Sequence, residues 1–525
     1  MSSSKTKHPL KIILALFFLM HGWHPTLAQL TSNEIDELAT SALTKFNIAG
    51  VAIGIVKDGH IIHTKGYGVK SIQSNEVVDE HTSFAIASNT KAFTSAALAI
   101  LVEQGKINWR DKVVDYLPEF RMYDPYVTKN FNIQDLLTHR SGLGLGAGDL
   151  MFIPPGGDFT IQDVMTSFQY FKPQSDFRSS YDYDNLLYLV AGELIARVSG
   201  VNYDEFIEAN IFQPLAMDRS FCSLSDTRIT SNQAIPHLSI DGKLREINHF
   251  QQMGNDAAGG IRSNVDDLCQ WMLLHLNKGR YGENLEKELF SEAAQREMWK
   301  IHNPFITYPN ARYNFHFSGY GLGWELRDIK GNMAAYHGGL LPGMASQTIL
   351  IPDINLGIIV LINSADKSGF SPTDALAFTI LDSYLGLDDF DWMGKVYRSV
   401  QQSDQGADSV VIAVWKKVAS NTPIVEISKY VGTYEDPWFG KVEVSTNDDK
   451  LWFRSLRSPL LNGELQHYTH DTFAIRWEYQ DLNGDALVTF NAGQKEKAQS
   501  LNIKGISPQI DFSFDFQDLN LKRLK

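Results

Sequence analysis

The stretch Thr82-Ser83-Phe84-Ala85-Ile86-Ala87-Ser88-Asn89-Thr90-Lys91, followed by AFTSAALAILVEQG, predicts one long buried helix that opens at Ser88 and stops at Gly105. Ala and Leu favour the helix, and apolar residues occupy most of its positions. Ser88 and Lys91 are three positions apart, so their side chains share one face of the first turn. A serine hydroxyl becomes a strong nucleophile when a neighbouring base takes its proton, and a lysine held neutral by burial can be that base.

The Ser-x-x-Lys pattern alone is not specific, because an isolated match is more often a helix cap followed by a solvated lysine. The same spacing recurs at Ser2/Lys5, Ser4/Lys7 and Ser364/Lys367. The interpretation of Ser88 therefore depends on the rest of the chain.

The composition describes a large globular protein with an acidic surface. The chain has 525 residues, 43% of them hydrophobic, and a formal net charge of −14. Its length allows more than one domain. A negative surface repels phosphate backbones, which argues against a nucleic-acid partner.

The first 28 residues have the form of a secretory signal peptide. A basic start precedes the apolar run from Ile12 to Met20, and Thr26-Leu27-Ala28 precede Gln29. We expect a mature chain that begins at Gln29 and is exported, either to the periplasm or to the medium. A membrane anchor would need about 20 apolar residues, more than this run supplies, and no later stretch is apolar enough to span a bilayer.

The two cysteines, Cys222 and Cys269, leave two alternatives open. They could pair in an oxidising compartment, or they could be buried thiols that act as small hydrophobic residues. The second interpretation is preferred.

Two domains are predicted after the signal peptide. Residues 29–400 alternate helical and strand patterns, with strands near Tyr320, Ala334, Gln347 and Leu356 and a last helix at Asp374–Leu385. Residues 401–424 are polar and predict a linker with a short helix near Val410 to Val418. Residues 425–525 form a small antiparallel barrel or sandwich of short alternating runs. Those runs are Tyr430–Tyr434, Val442–Ser445, Leu451–Ser455, Phe473–Trp477, Ala486–Phe490, Ser500–Ile503 and Ile510–Phe516.

Two further segments offer groups that a serine nucleophile needs. Tyr183-Asp184-Asn185 precedes the apolar helix LLYLVAGELIARVSG and can present a phenol and an amide to a cleft. Tyr308-Pro309-Asn310 repeats the Tyr-x-Asn pattern, so this signal is not specific either. His337-Gly338-Gly339 lies on a predicted strand, where glycines permit a close approach of backbone to ligand.

Together, Ser88-x-x-Lys91, Tyr183-x-Asn185 and His337-x-Gly339 resemble the three motifs of the serine β-lactamase and penicillin-binding protein superfamily, in its class C β-lactamase-like branch. The flanking sequences LLTHRSGL, GGIRSNVDDL and GYGLGWEL are also similar to that family. The resemblance covers about Ile35 to Leu385. It implies an α/β (α+β) fold with an antiparallel sheet flanked by helices, plus a helical subdomain around Leu136 to Val201.

The resemblance also implies roles for the motif residues. Ser88, Lys91 and Tyr183 would be catalytic, while Asn185, His337, Gly339 and Leu340 would bind substrate. The backbone N–H groups of Ser88 and Leu340 would form an oxyanion hole, and neither a metal nor a cofactor is implied. His337, when protonated, would supply positive charge to the site.

His337 stands where β-lactamases of this class usually have lysine, and His-x-Gly resembles D-aminopeptidases, D-stereospecific carboxypeptidase-like enzymes and related esterases. The C-terminal region resembles the lipocalin-like extensions of some of these peptidases. We therefore expect an exported serine hydrolase of small peptides next to D-amino acids, with peptidoglycan fragments among the candidate substrates. A carboxylesterase, a β-lactamase and a non-catalytic peptide-binding protein remain alternatives, and the C-terminal domain could support a homo-oligomer.

Overall fold

The computed structural model describes residues 29–222, 232–240, 242–250, 257–365, 369–421, 426–492 and 497–525. The signal peptide predicted at residues 1–28 lies outside these ranges, so it stays a prediction. The helices are α1 Ser32–Lys45, α2 Thr90–Glu103, α3 Val113–Tyr116, α4 Pro125–Asn130, α5 Ile133–Leu137, α6 Ile161–Ser167, α7 Leu186–Ser199, α8 Tyr203–Ile207, α9 Val265–Leu276, α10 Glu292–Met298, α11 Ser371–Tyr384 and α12 Trp392–Ala419.

The first fourteen strands belong to the N-terminal domain. They are β1 Gly50–Lys57, β2 His60–Gly68, β3 Phe84–Ala85, β4 His237–Ile240, β5 Lys243–Glu246, β6 Arg262–Ser263, β7 Arg280–Tyr281, β8 Lys287–Glu288, β9 Asn303–Pro304, β10 Ser318–Tyr320, β11 Glu325–Ile329, β12 Asn332–Leu341, β13 Met344–Ile351 and β14 Leu356–Ile362. Eight of them form one antiparallel sheet in the order β2-β1-β14-β13-β12-β11-β10-β9.

The central strands of this sheet are buried on both faces, which explains their nearly continuous apolar sequence. Along β14, Ile358 and Val360 point into a core shared with α1 and α11, whereas Ile359 and Leu361 join the core on the opposite face, with α2 and α9. This alternation follows the two-residue period of a strand. The helices α3 to α8 lie between α2 and α9 in sequence and form the predicted helical subdomain beside the sheet.

The C-terminal strands close into an antiparallel barrel in sequence order. They are β15 Gly432–Asp436, β16 Gly440–Asn447, β17 Lys450–Ser455, β18 Asn462–Thr469, β19 Thr472–Ile475, β20 Ala486–Asn491, β21 Ser500–Gly505 and β22 Leu521–Arg523, and β22 pairs with β15. The expected fold class, an α/β β-lactamase-like domain and a small all-β barrel, is confirmed.

The structure corrects two predictions within this region. The sequence predicted neither β18, whose polar residues alternate weakly, nor the short β22, and it wrongly predicted a strand at Ile510–Phe516. That segment is irregular and leads into a short 3-10 helix at Phe516–Asp518. In this segment Phe512 contacts Tyr183 of the first domain, whereas Ile510, Phe514 and Phe516 pack on the barrel.

Residues 401–419 of the segment predicted as a linker form the last part of α12, a single helix of 28 residues, and residues 422–424 lie outside the described ranges. Only Met393, Gly394, Ala407 and Val418 are buried in it. Met393 packs on the core of the first domain and Val418 packs on the barrel. So few buried positions leave a weak periodicity, which is why the sequence suggested a polar linker with a shorter helix.

Cys222 and Cys269 are both buried thiols, in agreement with the preferred interpretation. Within the ranges that the structure describes, none of the helices is both long and apolar enough to cross a bilayer.

Candidate active site

The start of α2 places Ser88 at the surface of an otherwise buried segment. From Thr82 to Leu101, every residue except Ser88 is buried. Ser88 lies in a 3-10 turn at Ala87–Asn89, and α2 itself begins at Thr90, two residues later than the sequence predicted. Ala87 has a φ of 49°, a left-handed conformation that is uncommon for a residue with a Cβ and is typical of functional turns.

Two neighbours on the sheet fix this turn. The Ser346 hydroxyl donates to the carbonyl oxygen of Ile86 at 2.6 Å and accepts from Asn89 Nδ2 at 2.7 Å. Gly339 lies against the same carbonyl, and a Cβ at Gly339 would come within 2.0 Å of it. The glycine predicted to permit a close backbone approach therefore permits the approach of β12 to the Ser88 turn.

Lys91 is fully buried and its ammonium contacts three oxygens. Its Nζ lies 3.0 Å from Ser88 Oγ, 2.8 Å from Asn185 Oδ1 and 2.9 Å from the carbonyl oxygen of Ala258. Burial lowers the pKa of Lys91 from its ordinary value to about 7, although the carboxyls of Asp149 and Asp184 act in the opposite direction. A substantial fraction of Lys91 is therefore neutral near pH 7.

The contacts of Lys91 also decide where its lone pair points. Carbonyl oxygens only accept hydrogen bonds, so the two N–H groups of a neutral amine are directed to Asn185 and Ala258. The remaining tetrahedral position, which holds the lone pair, faces the Ser88 hydroxyl. This is the arrangement that lets a base take the serine proton.

Tyr183 lies over the same lysine, with its ring centroid 4.9 Å from Lys91 Nζ. Burial raises the pKa of Tyr183, and its contact with the Ser88 hydroxyl opposes that rise. The phenol is therefore protonated at neutral pH and is a proton donor there. The His139 ring packs against the Tyr183 ring, with the two ring centroids 4.3 Å apart.

Asn185 connects Lys91 to a buried carboxyl. Its Oδ1 accepts from Lys91, and its Nδ2 donates to Asp149 Oδ2 at 2.9 Å. Burial raises the pKa of Asp149 to about 7. The same Asp149 oxygen accepts a hydrogen bond from the hydroxyl of Ser513, a residue of the C-terminal barrel.

His337 lines the cavity in front of Ser88, but both of its ring nitrogens are engaged by protein. Nδ1 lies 2.6 Å from the carbonyl oxygen of Gly338 and must donate to it, so Nε2 accepts from the Tyr320 hydroxyl at 2.8 Å. Burial, aided by the charge of Lys91, lowers the pKa of His337 to about 3. His337 is therefore neutral near pH 7, and the positive charge expected of its protonated form is absent there.

Leu340 follows Gly339 on β12. β12 is an interior strand of the sheet, but β11 pairs only with Asn332–Tyr336. From His337 to Leu341, β12 is paired with β13 alone. This half of the strand is therefore a local edge that borders the cavity.

The cavity in front of Ser88 has a volume of about 600 Å³ and is lined by both domains. The barrel contributes residues from two loops, at 480–483 and 509–513. Its charged lining residues are one arginine and four acids, namely Arg327, Glu325, Asp374, Asp481 and Asp511. Burial raises the pKa of Asp374 to about 7 and raises that of Glu325 as well, so a cationic group nearby would stabilise their charged forms.

Comparison with known proteins identifies the first domain. A family model described as Beta-lactamase matches residues 35–379, about two thirds of the chain. The chain belongs to the beta-lactamase family. It is a serine hydrolase of this family. Two of its curated relatives carry the name unguisins hydrolase. A second model, Domain of unknown function (DUF3471), matches residues 416–523 of this family member.

Curated relatives of this beta-lactamase family member are similar over most of its length. The unguisins hydrolase ungD' of Aspergillus campestris is 26% identical over 79% of this chain and 78% of its own. Protein flp of Staphylococcus aureus is 26% identical over 63% of each chain.

Solved structures share the fold. The octameric penicillin-binding protein homologue from Pyrococcus abyssi is 20% identical, with a TM-score of 0.59 over 92% of this chain and 99% of that one. The D-amino acid amidase from Ochrobactrum anthropi SV3, complexed with L-phenylalanine amide, is 20% identical, with a TM-score of 0.54 over 67% of this chain and 99% of that one.

The structure brings all seven predicted site residues of this beta-lactamase family member to the start of α2 or the adjacent part of β12. Sequence reasoning missed three residues that contact them, His139, Asp149 and Phe512. It also missed Ser513 and Asp515, which contact Asp149 and its backbone neighbours. His139 lies within LLTHRSGL, which the sequence offered only as a family likeness. The other four carry no motif, and their role depends on contacts between domains. Across the described ranges, no group of three or more His, Cys, Asp and Glu side chains is arranged to hold a metal ion.

Proposed function

We propose that Ser88 is the nucleophile of this hydrolase and that Lys91 is its general base. The observation that carries the proposal is the environment of Lys91, which is buried, has a pKa of about 7 and lies 3.0 Å from Ser88 Oγ. Ser88 Oγ forms a bond to the substrate carbonyl carbon as its proton passes to Lys91. The negative charge that develops on the carbonyl oxygen would be stabilised by the backbone N–H groups of Ser88 and Leu340.

Tyr183 is proposed to protonate the leaving group. Its raised pKa keeps the phenol protonated, and its position over Lys91 allows the lysine to return the proton afterwards. The bond from the carbonyl carbon to the leaving nitrogen breaks as that nitrogen takes the phenolic proton, which leaves an acyl group on Ser88. A water molecule then hydrolyses this ester, with the same groups accepting and returning its proton.

The preferred substrates are small peptides or amides next to D-amino acids, and such substrates include peptidoglycan fragments. The acidic lining of the cavity supports substrates with an amine close to the scissile bond. It also disfavours the carboxylate of a β-lactam, because His337 is neutral and supplies no compensating charge. The name of one similar protein, a D-amino acid amidase, is consistent with an amide substrate.

A carboxylesterase is the second candidate. Much of the cavity lining is aliphatic or aromatic, including Phe152, Leu189 and Phe370. Such a surface accepts an uncharged acyl group. Esters and amides pass through the same acyl-enzyme, so the two candidates differ in leaving-group protonation and in the need for an amine.

The decisive experiment compares mature wild type with Ser88→Ala. Both proteins are incubated with a fluorescent penicillin and analysed by intact-mass spectrometry, beside D-alanine amide, L-alanine amide and p-nitrophenyl acetate as substrates. We expect Ser88-dependent turnover that is fastest with D-alanine amide. Faster turnover of the ester with no amide cleavage would favour the esterase, turnover of the penicillin would favour a β-lactamase, and no Ser88-dependent reaction would favour a binding protein.

Export and assembly are separate proposals. We infer that the enzyme is exported, because residues 1–28 have the form of a signal peptide. We propose that it forms a homo-oligomer, because a similar structure is that of an octameric penicillin-binding protein homologue. N-terminal sequencing of the secreted protein should begin at Gln29. Light scattering coupled to size-exclusion chromatography should give a mass that is a multiple of the monomer, and a monomeric mass would refute assembly.

A further inference from the structure

A segment of the C-terminal barrel, Ser507 to Asp515, enters the first domain next to the catalytic residues. Phe512 lies edge-on to Tyr183, with ring centroids 5.9 Å apart. A Cβ at Gly146 would come within 2.7 Å of the Phe512 ring, so the glycine loop is shaped to receive this side chain. The barrel therefore contributes a wall of the cavity beside the phenol.

The same segment binds the loop that carries Asp149. The carboxyl of Asp515 accepts hydrogen bonds from the backbone N–H groups of Gly148 and Leu150, at 2.6 and 3.0 Å. Ser513 Oγ donates to Asp149 Oδ2 at 2.9 Å. These contacts hold Asp149 from both sides, through its backbone neighbours and through its side chain.

One continuous chain of hydrogen bonds then leads from the barrel to Ser88. It runs from Ser513 to Asp149, from Asp149 to Asn185 at 2.9 Å, from Asn185 to Lys91 at 2.8 Å, and from Lys91 to Ser88 at 3.0 Å.

The charge of Asp149 sets which groups donate and which accept along this series of hydrogen bonds. An ionised carboxylate can only accept, so it requires Asn185 to turn its amide nitrogen to Asp149 and its amide oxygen to Lys91. If the amide were reversed, its N–H group would face Lys91 and would compete for the lysine lone pair. The orientation of Asn185 therefore decides whether that lone pair is free to face Ser88.

Asp149 is poorly explained as a purely structural residue. Its side chain is fully buried, and its second oxygen, Oδ1, has no hydrogen-bond partner among the described residues. A buried carboxyl with one unsatisfied oxygen costs stability. An apolar contact would dock the barrel at a lower cost, which points to a role in the chemistry.

We propose that the C-terminal barrel is part of the active site: Ser513 fixes Asp149, and Asp149 is a positioning residue that acts through Asn185 to orient and tune Lys91. The inference rests on the proposed function, in which Lys91 is the base for Ser88. It extends that function by assigning roles to Asp149 and Ser513, one in each domain.

Charged and titratable groups surround both Lys91 and Asp149. Lys91 is faced by Asp149, Asp184, His139, His337, Tyr183 and Tyr188, and Asp149 is faced by Lys91, Asp184, Asp511 and Asp515. The hydroxyl of Ser513 stabilises the ionised form of Asp149. Ionised Asp149 in turn stabilises protonated Lys91.

The test measures the burst of p-nitrophenol from p-nitrophenyl acetate between pH 5 and 9. The variants are Ser513→Ala, Ser513→Thr and Asp149→Asn, and Ser507→Ala is the matched control. Ser507 lies in the same segment, and its hydroxyl accepts from the backbone N–H of Gln509, within that segment. Thermal melting accompanies each assay, so that loss of fold is separated from loss of rate.

We expect Ser513→Ala to lower the acylation rate about tenfold while KM changes less than twofold. Loss of the donor raises the pKa of Asp149, weakens the negative charge beside Lys91 and moves the acid limb of the pH profile to lower pH. Asp149→Asn should move that limb further in the same direction, since it lacks the charge at every pH. Ser513→Thr, which keeps the hydroxyl, should restore the wild-type rate and midpoint.

An acid limb that stays at the wild-type midpoint in both Ser513→Ala and Asp149→Asn would overturn the inference, even if rates fall. Equal rates in Ser513→Ala and Ser507→Ala would overturn it too. Failure of the proposed function looks different, because Ser88→Ala would then release p-nitrophenol as fast as wild type.

Discussion

The Ser88 turn and the Ser507–Asp515 segment meet at one cavity but are built in opposite ways. The Ser88 turn is continuous with a long buried helix that carries Lys91 three positions later, and Ser346 and Gly339 of the sheet support it from outside. The second segment is irregular and leaves its own barrel to contact residues more than 300 positions away in sequence, as in the pair Ser513 and Asp149. Local sequence can encode the first region, whereas only the tertiary fold can place the second.

The largest effect is expected when Lys91 is replaced, which tests the role of the Ser88 turn in catalysis. Lys91→Met removes the amine but keeps an unbranched side chain, and we expect the acylation rate to fall by about 10³-fold or more, because general-base assistance is lost. Lys91→Arg should lose as much, since a guanidinium stays protonated. Both are measured with p-nitrophenyl acetate, and a rate within tenfold of wild type would remove Lys91 from the mechanism.

A smaller loss of activity is expected when the tyrosine of the first Tyr-x-Asn match, Tyr183, is replaced, and none when Tyr308 of the second match is replaced. Tyr183→Phe should slow hydrolysis of D-alanine amide by about 10²-fold, because the leaving amine needs a proton. It should slow p-nitrophenyl acetate less than tenfold, since nitrophenolate leaves without one. Tyr308→Phe is the matched control, because Tyr308 is 74% exposed. Equal losses on both substrates would contradict the role in leaving-group protonation.

These contrasts show how far the sequence could predict the molecule. The fold class and the residues around Ser88 follow from local patterns: an apolar helix, alternating strands and three short motifs. The ionisation state of His337 did not follow, because it depends on the burial of the ring in the folded protein and on the charge of Lys91. Asp149 and Ser513 were missed for a related reason: neither belongs to a motif, and their contact joins two domains.

A still smaller effect, on KM, is expected when Phe512 of the Ser507–Asp515 segment is replaced. Phe512→Ala removes an aromatic contact with Tyr183 and opens the cavity, so we expect KM for D-alanine amide to rise by about threefold to tenfold, with kcat within twofold of wild type. Phe317→Ala, another exposed phenylalanine that does not line the cavity, should leave both constants unchanged. A fall in kcat without a rise in KM would show that Phe512 acts on the chemistry and not on binding.

Stability should also differ between the two sides of the cavity, in the sign of its dependence on pH: His337 lies on β12 beside the Ser88 turn, and Asp515 lies in the barrel segment. His337 is buried with its pKa lowered to about 3, so between pH 6.5 and 3 the unfolded chain binds a proton that the folded chain does not. Each pH unit in that window costs the folded state about 1.4 kcal/mol from this group. His337→Gln should therefore make the acid-side loss of unfolding free energy shallower, whereas the exposed His60→Gln should not.

Asp515 in the barrel segment should act in the opposite direction. Burial raises its pKa well above the ordinary value of 3.8, so above pH 3.8 the folded chain keeps a proton that the unfolded chain releases. Its contribution to stability is therefore present at low pH and falls as pH rises toward the folded-state pKa. Urea unfolding of Asp515→Asn between pH 4 and 7 should show a smaller decline with pH than wild type, although the variant is less stable overall because it loses an acceptor for Gly148 or Leu150. An unchanged slope would mean that Asp515 is ionised in the folded protein, and its two backbone hydrogen bonds would then be stabilising a buried charge.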